Sequence, residues 1–288
     1  MNTIYNPIEK MVRRNVILPH RKEERFSFYY EDNTVVSSLF VILSAMFPPG
    51  EMFFIESIRN VRHQISDEQL CKDIQTFIAQ EAFHSREHQS LNKHLLDSQF
   101  SEVLEIEAET KRVLDQFRKL NKIDQLAATV VMEHFTATLA RLLLTDGLIQ
   151  QKTTQEKRDL WEWHALEELE HKSVAYDVLT AVGGNTPRNR SIALLRITKH
   201  LTPVLFGHWY KILKRKDIKF SLRDLNDCFY LGFGGVNRLG ILTQAALGMF
   251  EVTQYDFNPR NMQTEQLEAE YRKKLFGDNG SLAQHLKT

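Results

Sequence analysis

Glu81 and His84 stand three residues apart and His88 follows four later, so on a helix all three project from one side. His164, Glu168 and His171 repeat the idea with offsets of four and three. Glu133 lies within Val130-Val131-Met132 and Phe135, where an ionised carboxylate is costly unless a cation or a metal meets it. Glu51, followed by Met52-Phe53-Phe54-Ile55, has the same difficulty, and Glu56 is the alternative acid from that segment. Two divalent cations held close together repel, and bridging carboxylates supply the compensating charge while histidine supplies neutral nitrogen. One Glu from each of two helices and a Glu-x-x-His from each of two others is the ligand set of di-iron and di-manganese four-helix bundles. Glu51, Glu81-x-x-His84, Glu133 and Glu168-x-x-His171 reproduce it in chain order.

Spacing alone is weak evidence. With 23 Glu and 11 His in 288 residues, about one Glu-x-x-His pair arises by chance. The two pairs count because each falls on a long helix with an apolar face and the Glu133 helix comes between them. His88 is read as a donor to a carboxylate ligand, with direct ligation as the alternative. His134 points away from Glu133 and is read as structural, while Glu167 and Glu170 are read as surface residues or supports for the ligands. Phe53, Phe54, Phe77, Phe83, Trp161 and Trp163 are either core or the wall of a substrate pocket.

Apolar residues recur at three-and-four spacing nearly throughout, without an internal repeat or a Gly/Ser linker, which predicts an all-α chain in one helical domain spanning 1–288. The expected fold is a ferritin-like four-helix bundle with additional C-terminal helices, its metal-binding core over 33–183 and accessory helices over 188–277. A first helix over 33–47 is expected to stop at Pro48-Pro49-Gly50, leaving Glu51 at the start of a second segment over 51–63. Ser66-Asp67 and Ser101 look like caps for helices to about 96 and 118. Further helices are expected over 124–148, 155–182, 188–214 with a kink at Pro203, 222–250 and 265–274.

Lys plus Arg (37) equals Asp plus Glu (37), a balance that removes nucleic acid as an expected partner. Two cysteines cannot make a disulfide framework or a thiolate zinc site and suit a reducing compartment. No apolar run follows Lys10, Arg13 and Arg14 before Pro19, so a cytoplasmic protein without a secretory signal is expected. Val35–Phe47 is too short, and Phe229–Phe250 too interrupted, for a membrane span. Val204 to Tyr210, followed by Lys211, Lys214, Arg215 and Lys216, reads as a packed helix with a solvated end, membrane-surface association being the alternative. The sequence is equally compatible with a homodimer.

Several runs carry a family resemblance: Pro48-Pro49-Gly50-Glu51, Gln80-Glu81-Ala82-Phe83-His84 with Glu87-His88, Trp163-His164, Glu167-Glu168-Leu169-Glu170-His171-Lys172, and Tyr255 to Pro259. They resemble the bacterial proteins known as predicted metal-dependent hydrolases, over most of the chain. The His-x-x-x-Glu-x-x-His run of His164, Glu168 and His171 also resembles that of di-iron arylamine N-oxygenases. This second resemblance implies seven ligands, Glu51, Glu81, His84, Glu133, His164, Glu168 and His171, around two iron ions, with manganese or zinc as alternatives. It further implies dioxygen, an electron donor and a small-molecule substrate that is oxygenated or desaturated. The first resemblance instead implies a two-metal hydrolase of an ester or amide, and a ferritin-like iron-handling protein is a third reading.

Overall fold

α1 (Thr34–Arg59) continues through Pro48, Pro49 and Gly50, where the sequence predicts a break. Proline at 48 removes the N–H that would pair with the Ser44 carbonyl. Asn92, from the neighbouring helix, donates its amide to that carbonyl at 3.0 Å and so replaces the lost bond. Glu51 therefore sits within a continuous helix and not at a helix start. This is a computed structural model of the chain, and it describes residues 11–19, 30, 33–97, 100–153 and 155–287.

α2 (Glu68–Asp97) begins where expected, with the Asp67 carboxylate accepting from the Leu70 N–H at 2.7 Å. α3 (Glu102–Phe117) is amphipathic, burying Val103, Ile106, Leu114 and Phe117 while its Glu107 is half-buried against α2; the Ser101 side chain makes no cap bond. α4 (Lys122–Thr145) is followed directly by the short α5 (Gly147–Lys152), whose start is capped by Asp146. The expected helix over 155–182 is instead α6 (Gln155–His171) and α7 (Val174–Ala181). Lys172 Nζ donates to the Leu169 carbonyl at 3.0 Å, the oxygen that the Ser173 N–H would take in an unbroken helix.

α1, α2, α4 and α6 pack pairwise into a four-helix bundle, so the all-α bundle expected from the sequence is the fold observed. Two apolar clusters flank its middle. One is built around Ile42, Leu166 and Trp163, the other around Phe53, Ile74, Phe77 and Val131. α1 and α4 are long and apolar enough to cross a membrane, and their apolar windows are mostly buried inside the protein.

The accessory region also differs from expectation. The helix over 188–214 splits at Leu201 into α8 (Pro187–His200) and α9 (Thr202–Leu213), and α9 buries Val204, His208 and Ile212 as a packed helix does. The helix over 222–250 is interrupted by a hairpin: α10 (Leu222–Phe233), β1 (Gly234–Gly235), β2 (Arg238–Leu239) and α11 (Ile241–Glu251). Gly234 permits the turn with φ of 91°, where a Cβ would lie 2.2 Å from the Arg238 carbonyl oxygen. α12 (Glu265–Phe276) is the last α-helix, and an antiparallel bridge joins Val16 to Leu286.

Candidate metal centre

Each inner helix brings one part of the acid–imidazole set to the middle of the bundle. Glu51 comes from α1, Glu81, His84 and His88 from α2, Glu133 from α4, and His164, Glu168 and His171 from α6, all of them buried. Glu81, His84, Glu168 and His171 place a ligand atom each within 4.8 Å of one another, and Glu51, His88 and His164 do the same. Glu168 joins the two groups. Its Oε1 lies 2.9 Å from His164 Nε2, 3.9 Å from His171 Nε2 and 4.0 Å from His84 Nδ1. Glu133 reaches the first group through its Oε2, 3.1 Å from His171 Nδ1.

The arrangement leaves polar atoms facing one another without hydrogen bonds. Both oxygens of Glu51 and of Glu81, Glu133 Oε1, Glu168 Oε2, His84 Nδ1 and His171 Nε2 are buried with no partner. His171 Nε2 and Glu81 Oε1 are 3.1 Å apart yet make no hydrogen bond. Buried polar atoms are ordinarily satisfied, so lone pairs converging in this way fit a cation between them. The donor set of carboxylate oxygens and imidazole nitrogens suits iron, manganese or zinc.

Electrostatics agree. Burial, followed by the carboxylates of Glu133 and Glu168, holds Glu81 well above the usual carboxylate range, and burial with Glu168 does the same to Glu51. Burial raises Glu133 to about 7, against the opposing effect of His171. For His171, burial favours the neutral ring, but Glu133 and Glu168 outweigh it and push the imidazolium up to about 9. Burial and the neighbouring His164 and His171 hold His84 well below its ordinary value, so it is a neutral ring with a free lone pair.

Around this set lies a layer of orienting contacts. His84 Nε2 meets Glu167 Oε2 at 3.0 Å, which leaves Nδ1 aimed inward. Glu167 is in turn held by Arg14 at 3.1 Å, and Arg14 also grips both oxygens of Glu170 at 2.8 and 2.9 Å. Burial still raises Glu167 to about 8, Arg14 opposing. Edge contacts from Trp163 on His84 and Phe77 on His171, and a tilted contact from Phe47 on His164, fix the planes of the rings.

One hydrogen-bonded chain orients His164. Asn92 Nδ2 serves two acceptors, the Ser44 carbonyl and Glu107 Oε1, so its oxygen is the group that accepts from Ser44 Oγ at 2.7 Å. With its proton committed there, Ser44 Oγ must accept from His88 Nδ1 at 2.9 Å. His88 Nε2 in turn meets His164 Nδ1 at 2.8 Å. His164 Nε2 is thereby turned to the cluster, hydrogen-bonded to Glu168 Oε1 at 2.9 Å and 3.9 Å from Glu51 Oε1, where a metal would take the place of that bond.

Of the residues singled out from sequence, Glu51, Glu81, His84, Glu133, His164, Glu168 and His171 are brought together. Glu56 is not: it pairs with Arg118 at 2.6 Å on a partly exposed surface. His88 joins the cluster but meets His164 and Ser44, not a carboxylate as expected. His134 bonds the Gly248 carbonyl at 3.1 Å and is structural. Glu167 and Glu170 are buried supports and not surface residues. Sequence reasoning missed Arg14, Ser44, Asn92 and Glu107. Asn92 had a signal, since it extends the stripe Glu81, His84, His88 by four more residues.

A cavity of about 150 Å³ opens beside His164 and Glu168. Val36, Phe40, Leu43, Phe47, Leu139 and Trp161 are among its walls, and inner residues of α10 and α11 roof it. Phe53, Phe54, Phe77, Phe83 and Trp163 are not part of its wall, so of the six aromatic candidates only Trp161 lines it.

Fold and site together define a helical bundle with a buried carboxylate–histidine cluster able to hold metal. The chain belongs to the predicted metal-dependent hydrolase family, whose model matches residues 13–263. No curated protein and no solved structure matches it.

Proposed function

We propose that this protein is a two-iron enzyme that uses dioxygen to oxidise an apolar organic substrate, oxygenating or desaturating it. Glu51, Glu81, His84, Glu133, His164, Glu168 and His171 would hold the metals. The observation that carries the reading is the cavity, whose wall is apolar up to the point where His164 and Glu168 enter it. A substrate seated there presents carbon–hydrogen bonds to the cluster. A bound ferrous pair supplies two electrons to dioxygen, and an external donor must then restore the ferrous state.

The residues of the chain do the remaining work. The apolar wall excludes water from the reacting carbon. His84 is kept neutral by burial and oriented by Glu167, while His164 is held with its Nε2 turned to the cluster by the His88–Ser44–Asn92 chain. The buried carboxylates carry the negative charge that two divalent cations require.

The family description favours a second reading, a two-metal hydrolase in which a metal-held hydroxide attacks an ester or amide. Hydrolysis calls for donors that orient the carbonyl and stabilise the developing oxyanion. Beyond the cluster the side-chain donors in the wall are the Thr136 hydroxyl, turned to its own helix, the Trp161 indole and the Cys228 thiol. The two readings separate in one experiment on protein reconstituted anaerobically with ferrous iron and, in parallel, with zinc. The oxidase reading expects rapid oxygen uptake and a new visible absorption from the iron protein alone. Spectroscopic silence under oxygen, with metal-dependent cleavage of p-nitrophenyl esters, would establish the hydrolase.

A further inference from the structure

We infer that the cavity beside the cluster is a binding site for an extended hydrocarbon chain, entering beneath the roof formed by α10, the hairpin and α11. This names a substrate class for the proposed oxidation and rests on that reading only for the chain's chemical fate.

The shape of the site selects a chain over a ring. Val36, Phe40, Leu43 and Phe47 line it along one face of α1, and the twelve residues from Val36 to Phe47 span about 16 Å of helix. The opposite wall follows α4 through Phe135, Leu139 and Leu143. The two ends differ in character. Phe47 packs on His164 with ring centroids 4.7 Å apart, so that end meets the cluster. Val36, at the other end, belongs to an apolar group with Leu231 and Ile241 of the roof. An apolar cavity of this size stays dry and is filled by apolar ligands.

Besides the Trp161 indole, the wall's polar side chains outside the cluster are Thr136 and Cys228. Thr136 donates its hydroxyl to the Glu133 carbonyl of its own helix at 3.0 Å. Burial pushes the Cys228 thiol up to about 11, so it stays neutral. A sugar, nucleotide or peptide would find few groups here to pair with, and a hydrocarbon chain loses nothing by desolvation. The roof is apolar on both sides. Its outer surface exposes Phe229, Phe233, Leu247 and Phe250, each more than half accessible. Such a surface above the entrance suits a chain arriving from a lipid bilayer, and a free fatty acid offers the same chemistry.

The test uses metal-free protein, so that its outcome is independent of the cluster. Stearate brominated at mid-chain, below its micelle concentration, is titrated while the fluorescence of Trp161 in the wall is read. Saturable quenching at one site per chain is expected, largely lost in Trp161→Phe. Ala140→Phe and Ala165→Leu, which grow into the cavity, should each weaken binding at least tenfold, with circular dichroism verifying their fold. A four-carbon brominated acid should bind wild-type protein at least tenfold more weakly, a comparison that needs no variant. Absent or unsaturable quenching, or equal binding of the short and long acids, would overturn the proposal. So would full binding by the folded, filled variants. Phosphatidylcholine vesicles with brominated chains identify the source: saturable quenching that is lost in Phe229→Asp/Phe233→Asp marks the bilayer, and quenching by the free acid alone marks soluble fatty acid. Chain binding by a protein that takes up no metal would retain this site and reject the two-iron reading; metal uptake without chain binding would do the reverse.

Discussion

Glu51 and Glu56 come from one helix five residues apart, yet only Glu51 points into the cluster, while Glu56 pairs with Arg118 near the surface. Glu51→Ala should therefore remove at least one metal ion per chain. Glu56→Ala should leave the count unchanged and cost about 0–1 kcal/mol of stability, as a partly exposed pair does; equal metal contents in the two variants would remove Glu51 from the site. The titrating groups make a second prediction. Glu133, raised to about 7, weakens the metal-free fold as pH climbs from its ordinary carboxylate range to about 7. His171, raised to about 9, stabilises fully below its ordinary value and loses that contribution as pH climbs through about 9. Both trends weaken the metal-free fold with rising pH, and bound divalent cations oppose them by favouring the deprotonated groups. The difference in melting temperature between metal-loaded and chelated protein should widen between about pH 6 and pH 8.5, as scanning calorimetry would show. A constant difference would mean that these groups do not bind the metal.

At the scale of elements, α1 survives two prolines because Asn92 on α2 serves the carbonyl that Pro48 strands. Asn92→Leu should cost about 1–3 kcal/mol in urea unfolding, the penalty for stranding buried polar groups. In a Pro48→Ala background, where the helix regains its own donor, part of that cost should vanish; strict additivity would refute the compensation. Arg14 ties the segment over 11–19 to α6 through Glu167 and Glu170. Arg14→Met leaves these carboxylates without that partner and should cost about 3–5 kcal/mol, softened at Glu170 by Arg272 at 2.6 Å; a loss below 1 kcal/mol would deny Arg14 its clamping role. These two contacts also mark the limits of sequence reading. Charged residues inside apolar helices stand out, so the Glu-x-x-His pairs and Glu133 were legible. Arg14 lies in a non-helical segment without periodicity, and the continuity of α1 depends on a partner remote in the sequence. The breaks at Lys172 and Leu201 and the hairpin at Gly234 turn on local bonds and a glycine φ, which a helical apolar period does not reveal.

Over the whole molecule, burial is unequal. The four inner helices carry the cluster, whereas α10 and α11 bury only Leu231, Gly232 and Ala245 among their residues. Amide hydrogen exchange should proceed first in the roof and last in α1, α2, α4 and α6. Uniform protection would argue against a roof that opens to admit a chain. The central claim is that seven residues from four helices hold two metal ions. It is tested most directly by metal content after anaerobic reconstitution with ferrous iron and removal of loosely bound ions, comparing wild-type protein with His164→Ala and Glu81→Ala. The account predicts two irons per chain in the wild type, fewer in Glu81→Ala, and in His164→Ala an altered Mössbauer spectrum at one iron. One iron or none in the wild type, or wild-type stoichiometry and spectra in both variants, would contradict it.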